Sequence, residues 1–191
     1  MLGLILCGGQ SERMGTDKGL MQTDKKTWAQ HAFEQMSLLD IPVKISVNKK
    51  QEDAYAAIFS PGKLIVDDDS LDLKGPLLGV LSCHLAFPGE DLFVLACDMP
   101  LMQLYFLQRL NSIYQLQPAS AYVFTNEGEA EPLCGIYTAK GLSAILQMFR
   151  KGELVKHSMK YMLDQLDVKK LCLKEEEKQY FQNFNSPANI I

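Results

Sequence analysis

One stretch near the start of the chain combines glycines, cations and acidic residues within a few positions. It reads Leu6-Cys7-Gly8-Gly9-Gln10-Ser11-Glu12-Arg13-Met14-Gly15-Thr16-Asp17-Lys18. Adjacent glycines after an apolar run let the backbone approach a ligand closely and offer amide N–H groups to an anion. Arg13 can fork onto phosphate oxygens, and Lys18 adds a point charge. This chemistry suits a polyphosphate, although an ordinary polar loop between strand and helix could contain the same residue types. Two other phosphate loops are excluded. A Walker A loop needs Gly-x-x-x-x-Gly-Lys-[Ser/Thr], and here Gly15 is followed by Thr16. A dinucleotide fingerprint needs Gly-x-Gly-x-x-Gly, which this spacing does not give.

The second group of chemical interest is acidic. Asp98 ends the most apolar run of the chain, Leu92 to Cys97. A carboxylate there has a dry backing and an open front. It fits the demand of Mg2+, which takes one or two carboxylates with substrate phosphates and water. It equally fits a helix N-cap ahead of Pro100. Asp67-Asp68-Asp69 directly follows another short apolar run, and Asn48 stops a third. His31, His84 and His157 lie on predicted helices without HExxH spacing, and we read them as structural or exposed.

The elements that must position these groups are strands alternating with amphipathic helices. Strands are predicted at 4–7, 43–47, 64–66, 92–97, 121–125, 133–137 and 167–173. Residues 8–18 read as loop. Trp28, Ala32, Phe33, Met36 and Leu39 recur at helical spacing, so 27–39 is predicted helical and ended by Pro42. Further helices are predicted at 51–58, 77–87, from Leu104 to Ile113, at 139–150 and at 155–165. The Lys174-Glu175-Glu176-Glu177-Lys178 run reads as a solvated helix start. This alternation predicts an α/β fold, a three-layer Rossmann-like domain with a mostly parallel mixed sheet flanked by helices. Ligands in such sheets bind outside the carboxyl ends of the strands. Those ends carry Gly8-Gly9, Asn48, Asp67-Asp68 and Asp98.

A chain of 191 residues most simply makes one domain. A domain of this size buries roughly 70% of its unfolded surface and needs no covalent staple. The net charge of -4 argues against a general nucleic-acid binder. The five cysteines form no CxxC pair, so neither a disulfide framework nor a zinc ribbon is expected. Cys7, Cys97 and Cys134 sit in strand-like runs and read as small buried hydrophobes. The apolar start is short, lacks a basic region and reads as a strand, not a signal peptide. No apolar run reaches the roughly 20 residues that span a bilayer. The expectation is a cytoplasmic enzyme that does not work at a membrane.

The motif Leu-x-Gly-Gly-x-Ser-x-Arg-Met-Gly-x-Asp-Lys resembles, position for position, the signature of the molybdenum cofactor guanylyltransferases. The resemblance continues through Gly75-Pro76-Leu77-Leu78-Gly79, Cys97-Asp98-Met99-Pro100, Glu131-Pro132-Leu133-Cys134-Gly135-Ile136-Tyr137 and Asn183-Phe184-Asn185-Ser186-Pro187, and so covers almost the whole chain. It implies GMP transfer from GTP to molybdopterin, with Mg2+ as cofactor and pyrophosphate as product. It implies nucleotide contacts by Leu6, Cys7, Gly8, Gly9, Lys18, Asn48 and Asp98 and by one of Asp67 and Asp68. Counting from the strand favours Asp67, and counting back from Gly75 favours Asp68. It implies Arg13, Lys18 and Asp98 as the catalytic set, with Asp98 also holding the metal. Asn183 and Asn185 are implied at the pterin. Residues 1–100 would bind nucleotide and 101–191 the acceptor, with proteins that deliver or accept the cofactor as further partners. Related cytidylyltransferases show Ala-Gly where this chain has Gly8-Gly9. The missing Cβ leaves room for a purine and favours GTP over CTP. Cys7 departs from the usual alanine. A cytidylyl or sugar-phosphate transferase, or a silent nucleotide-binding adapter, are the alternatives.

Overall fold

The computed structural model describes residues 1–8, 17–23 and 25–184. Gly9, Arg13 and Asn185 of the expected site lie outside these residues. In chain order the elements are β1 (Leu2–Leu6), a 3-10 turn (Lys18–Leu20), β2 (Gln22–Thr23), β3 (Lys26–Thr27), α1 (Trp28–Ser37), β4 (Val43–Val47), α2 (Glu52–Ala56) and β5 (Leu64–Val66). These are followed by α3 (Pro76–Ala86), β6 (Leu92–Ala96), α4 (Leu104–Leu116), β7 (Ala121–Asn126), β8 (Glu129–Tyr137), α5 (Ala139–Arg150), α6 (Met159–Asp164), β9 (Val168–Cys172) and a second 3-10 helix (Glu175–Phe181).

Seven strands form one sheet in the order β5-β4-β1-β6-β8-β7-β9. Only β8 runs antiparallel to its neighbours. It is antiparallel because Asn126 pairs with Glu129 across a two-residue turn. Glu127 and Gly128 both adopt positive φ there, 52° and 86°, as a hairpin of matching twist requires. The central strands β1 and β6 are buried along their whole length, so both faces must be covered. Successive side chains do point to opposite cores. Ile5, Cys7, Phe93 and Leu95 meet Ala29, Met36, Phe106 and Leu110 of α1 and α4. Leu4, Leu6 and Val94 meet Leu77, Val80, Ile145 and Met162 of α3, α5 and α6. Cys7, Cys97 and Cys134 are buried in these layers, as predicted.

Local sequence fixes the helix starts. Thr27 and Gln30 exchange the reciprocal bonds of a capping box before α1. Thr138 and Ser158 cap α5 and α6. Pro76 opens α3 immediately after Gly75, whose φ is 68°. Three features differ from the sequence expectation. The β2–β3 hairpin was not predicted; its strands are too short to show a period, and Thr23 holds the Trp28 indole N–H at 3.0 Å. Helix α6 begins at Met159 rather than 155, because the Ser158 cap sets its start. The acidic run at 174–178 does start a helix, and Lys174, Glu175 and Glu176 are exposed as expected, but Glu177 is buried. The helix is of the 3-10 type, and Glu177 turns inward to Arg109 Nη1 at 3.1 Å. No helix among the described residues is long and apolar enough to cross a membrane.

Candidate active site

Strand β1 has β4 on one side and β6 on the other. The chain leaves β1 toward β4 and β5 and returns through α3 to β6, so the direction of winding reverses beside β1. That reversal opens a crevice at the carboxyl ends of β1 and β6. Leu6 is in register with Ala96, and Cys97 N donates to the Leu6 carbonyl at 3.1 Å, so Gly8 and Asp98 emerge on adjacent strands.

Lys18 and Asp98 meet at this crevice, with Nζ 3.0 Å from Oδ2 and side chains 28% and 19% exposed. The next helix after Asp98 begins only at Leu104, with Gln103 at its cap position. Asp98 is therefore not a helix cap, and its carboxylate is committed to the crevice. Its carbonyl accepts from Phe184 N at 2.9 Å, which brings the exposed Asn183 to the same edge.

Asp67 and Asp68 separate clearly. Asp67 Oδ1 accepts from the fully buried Ser46 hydroxyl at 2.9 Å. Its Oδ2 lies over Gly8, where a Cβ would sit 2.9 Å from it. The room left by the missing side chain at Gly8 is thus filled by the Asp67 carboxylate and is not open to a purine, so the expected preference for GTP rests on the family resemblance and not on this space. Burial raises the Asp67 carboxyl to about 6, against the lowering effect of the Ser46 bond and with Asp69 adding to the rise. Asp68 instead accepts from Ser70 N at 2.9 Å, and this turn holds its pKa below the ordinary value. Ser46 is fixed in turn, since its carbonyl accepts from Cys7 N and Gly8 N at 3.0 and 3.1 Å.

Asn48 spends its side-chain oxygen on Lys50 N and Gln51 N, at 3.0 and 3.2 Å, and its amide N–H groups meet no acceptor among the described residues. Gln51 returns the contact, its Oε1 accepting from Asn48 N at 2.9 Å. Gln51 Nε2 donates to the Cys7 carbonyl at 3.0 Å and to Asp17 Oδ2 at 2.7 Å. Asp17 Oδ1 accepts from Tyr55 Oη and Gly19 N, both at 2.9 Å. Burial, then the neighbouring Cys7, Cys97 and Asp17, keep the Tyr55 phenol far above its ordinary range, so it is a neutral donor. A bond to Cys7, followed by burial, likewise raises the Cys97 thiol.

Ser46, Gln51 and Tyr55 were not singled out in the sequence. Asn48-x-x-Gln51 has the spacing of a capping box, which is the one signal that could have marked Gln51. His84 is buried against Ser143 Oγ at 3.1 Å and His31 lies 3.1 Å from the Thr23 carbonyl, away from the crevice, in line with structural roles.

A doubly wound, mostly parallel sheet with a lysine–carboxylate pair at its switch point defines a Rossmann-like α/β protein with a charged crevice. The sequence model of the MobA-like NTP transferase domain matches residues 3–168. A probable molybdenum cofactor guanylyltransferase of Flavobacterium johnsoniae is 31% identical over 97% of this chain and 92% of its own length. A molybdenum cofactor guanylyltransferase of Pseudomonas entomophila is 30% identical over 98% and 95%. Among solved structures, molybdopterin-guanine dinucleotide biosynthesis protein A from Archaeoglobus fulgidus superposes with a TM-score of 0.79 at 20% identity, covering 98% of this chain and 94% of that one. The chain belongs to the MobA-like NTP transferase domain family.

Proposed function

We infer that this protein is a molybdenum cofactor guanylyltransferase, moving GMP from GTP to the terminal phosphate of molybdopterin. The observation that carries the reading is the Lys18–Asp98 pair at the switch point, in a chain whose full-length relatives bear that name. An acceptor phosphate oxygen attacks the α-phosphorus of GTP. A new P–O bond forms, the bond to the β-phosphate breaks, and pyrophosphate leaves with that electron pair. The acceptor is already anionic, so no protein base is required. The task left to the protein is positioning and charge stabilisation.

Lys18 and Arg13 neutralise the triphosphate. Leu6, Cys7, Gly8 and Gly9 supply the backbone on which it lies. Asp67, not Asp68, accepts from ribose or base N–H and O–H groups, because its carboxylate faces Gly8 while that of Asp68 closes its own turn. Asn48 donates its side-chain amide. Residues 101–191 take the acceptor, with Asn183 and Asn185 at the pterin.

Among the described residues no three His, Cys, Asp or Glu side chains cluster to hold a metal. The donor set fits a cation held by one protein carboxylate together with phosphate oxygens and water, which is the habit of Mg2+. Asp98 would be that carboxylate, and the ion would supply charge stabilisation at the phosphates.

The test is pyrophosphate release from GTP with molybdopterin, or its molybdenum-loaded form, and Mg2+. Release with GTP and little with CTP or UTP is expected. A preference for CTP overturns the base assignment. Binding of GTP with no release makes the protein an adapter.

A further inference from the structure

We propose that Gln51 is a positioning residue for the nucleotide, acting as a staple across the two stems of the glycine-rich loop. The inference rests on the nucleotide reading of that loop given above. Gln51 stands where the chain enters α2, and every direction of its carboxamide is used. Both amide hydrogens are committed, one to the Cys7 carbonyl at 3.0 Å and the other to Asp17 Oδ2 at 2.7 Å. Its oxygen accepts from Asn48 N at 2.9 Å. Cys7 immediately precedes Gly8, and Asp17 immediately precedes Lys18. One side chain therefore fixes where the loop leaves β1, where it returns, and where Asn48 stands.

The arrangement is reinforced one helical turn later. Tyr55 occupies the same face as Gln51 and donates to the other Asp17 oxygen at 2.9 Å. The Asp17 carboxylate is thus held at both oxygens by α2, and Lys18 projects from a fixed backbone toward Asp98. Ordering the loop stems in the free protein removes an entropy cost that nucleotide binding would otherwise carry. The role requires an amide. A carboxylate at position 51 has nearly the same shape but cannot donate, and it would face the Asp17 carboxylate and the Cys7 carbonyl with lone pairs only.

The experiment compares wild type, Gln51→Glu, Asp17→Asn/Gln51→Glu and Lys18→Ala in steady-state pyrophosphate release, with melting temperatures measured alongside. Gln51→Glu should raise the KM for GTP by about 10-fold or more, the scale of losing a charge-assisted hydrogen bond. The KM for the acceptor should stay within about 2-fold, since the staple does not reach the acceptor half. In the double variant the amide introduced at 17 donates to the carboxylate introduced at 51, and part of the GTP affinity should return. A folded Gln51→Glu protein with the wild-type KM for GTP, an equal loss for both substrates, or no recovery in the double variant each overturns the staple. If Gln51→Glu does not fold, Gln51→Met keeps the volume without the donors, and the two KM values are read in the same way. Lys18→Ala separates the two layers of the argument. Loss of GTP affinity there with none in Gln51→Glu refutes only the staple, whereas wild-type affinity in both refutes the loop as the nucleotide site.

Discussion

The Asp67 carboxyl sets functional placement against stability in a way that can be measured. In the folded protein it titrates near 6, above its ordinary value of 3.8, chiefly because it is buried. A raised carboxyl pKa means that the fold favours the neutral acid. The contribution to stability is therefore fully present below about pH 4 and is lost as the pH rises through about 6. The gap between 3.8 and about 6 corresponds to an upper bound of about 3 kcal/mol at pH 7.5. Asp67→Asn removes the charge while its amide oxygen still accepts from Ser46. With partial solvent access discounted, the variant should be more stable by about 1–2 kcal/mol at pH 7.5. For a chain of this size that raises the melting temperature by about 2–6 °C. The assay is thermal unfolding of both proteins from pH 4 to 8, with GTP binding by calorimetry at pH 7.5. The stability difference should vanish toward pH 4, and GTP affinity should fall. A variant no more stable than wild type at pH 7.5, or a difference that does not depend on pH, would refute the reasoning.

Other outcomes follow from the same geometry. Asp98→Asn should lower kcat by about 100-fold or more, as for loss of one preorganised electrostatic group, and Lys18→Ala should lose GTP affinity while its circular dichroism spectrum is unchanged. Glu177 is 10% exposed and paired to the half-buried Arg109, so Glu177→Gln removes the charge from a buried ion-pair partner; chemical denaturation should show a loss of about 1 kcal/mol. At Gly19 a Cβ would lie 2.1 Å from Tyr55 Oη. Gly19→Ala should therefore destabilise the protein by about 2 kcal/mol in the same assay, and Gly19→Ala/Tyr55→Phe should recover part of it.

The strands and most helices could be read because burial on two faces leaves a plain mark. Leu92 to Ala96 is apolar throughout, and it is the strand that delivers Asp98. Thr27 and Gln30 announce the start of α1, and Pro76 that of α3. The carboxyl-end rule alone brings Gly8, Asn48, Asp67 and Asp98 to one edge. What could not be read depends on side-chain direction across chain-distant elements. Asp67 and Asp68 have the same chemistry and differ only in which one faces Gly8. Asp98 looked equally like a cap until α4 proved to start well beyond it. Glu177 sits in a charged run that reads as solvated, and only the approach of Arg109 from α4 makes it interior. The staple made by Gln51 depends on three partners far apart in sequence, which no local pattern encodes.

The hydrogen bond from Phe184 to the Asp98 carbonyl has a consequence for the order in which the protein matures. Phe184 follows β9 and the 3-10 helix in the chain, so its bond to Asp98 forms only with their docking against β7 and Arg109. The crevice formed by β1 and β6 can therefore be in place while Asp98 still lacks its tether. Refolding followed with paired probes should show the sheet complete before catalytic competence appears. The interval between the two reports how long the C-terminal strap takes to latch.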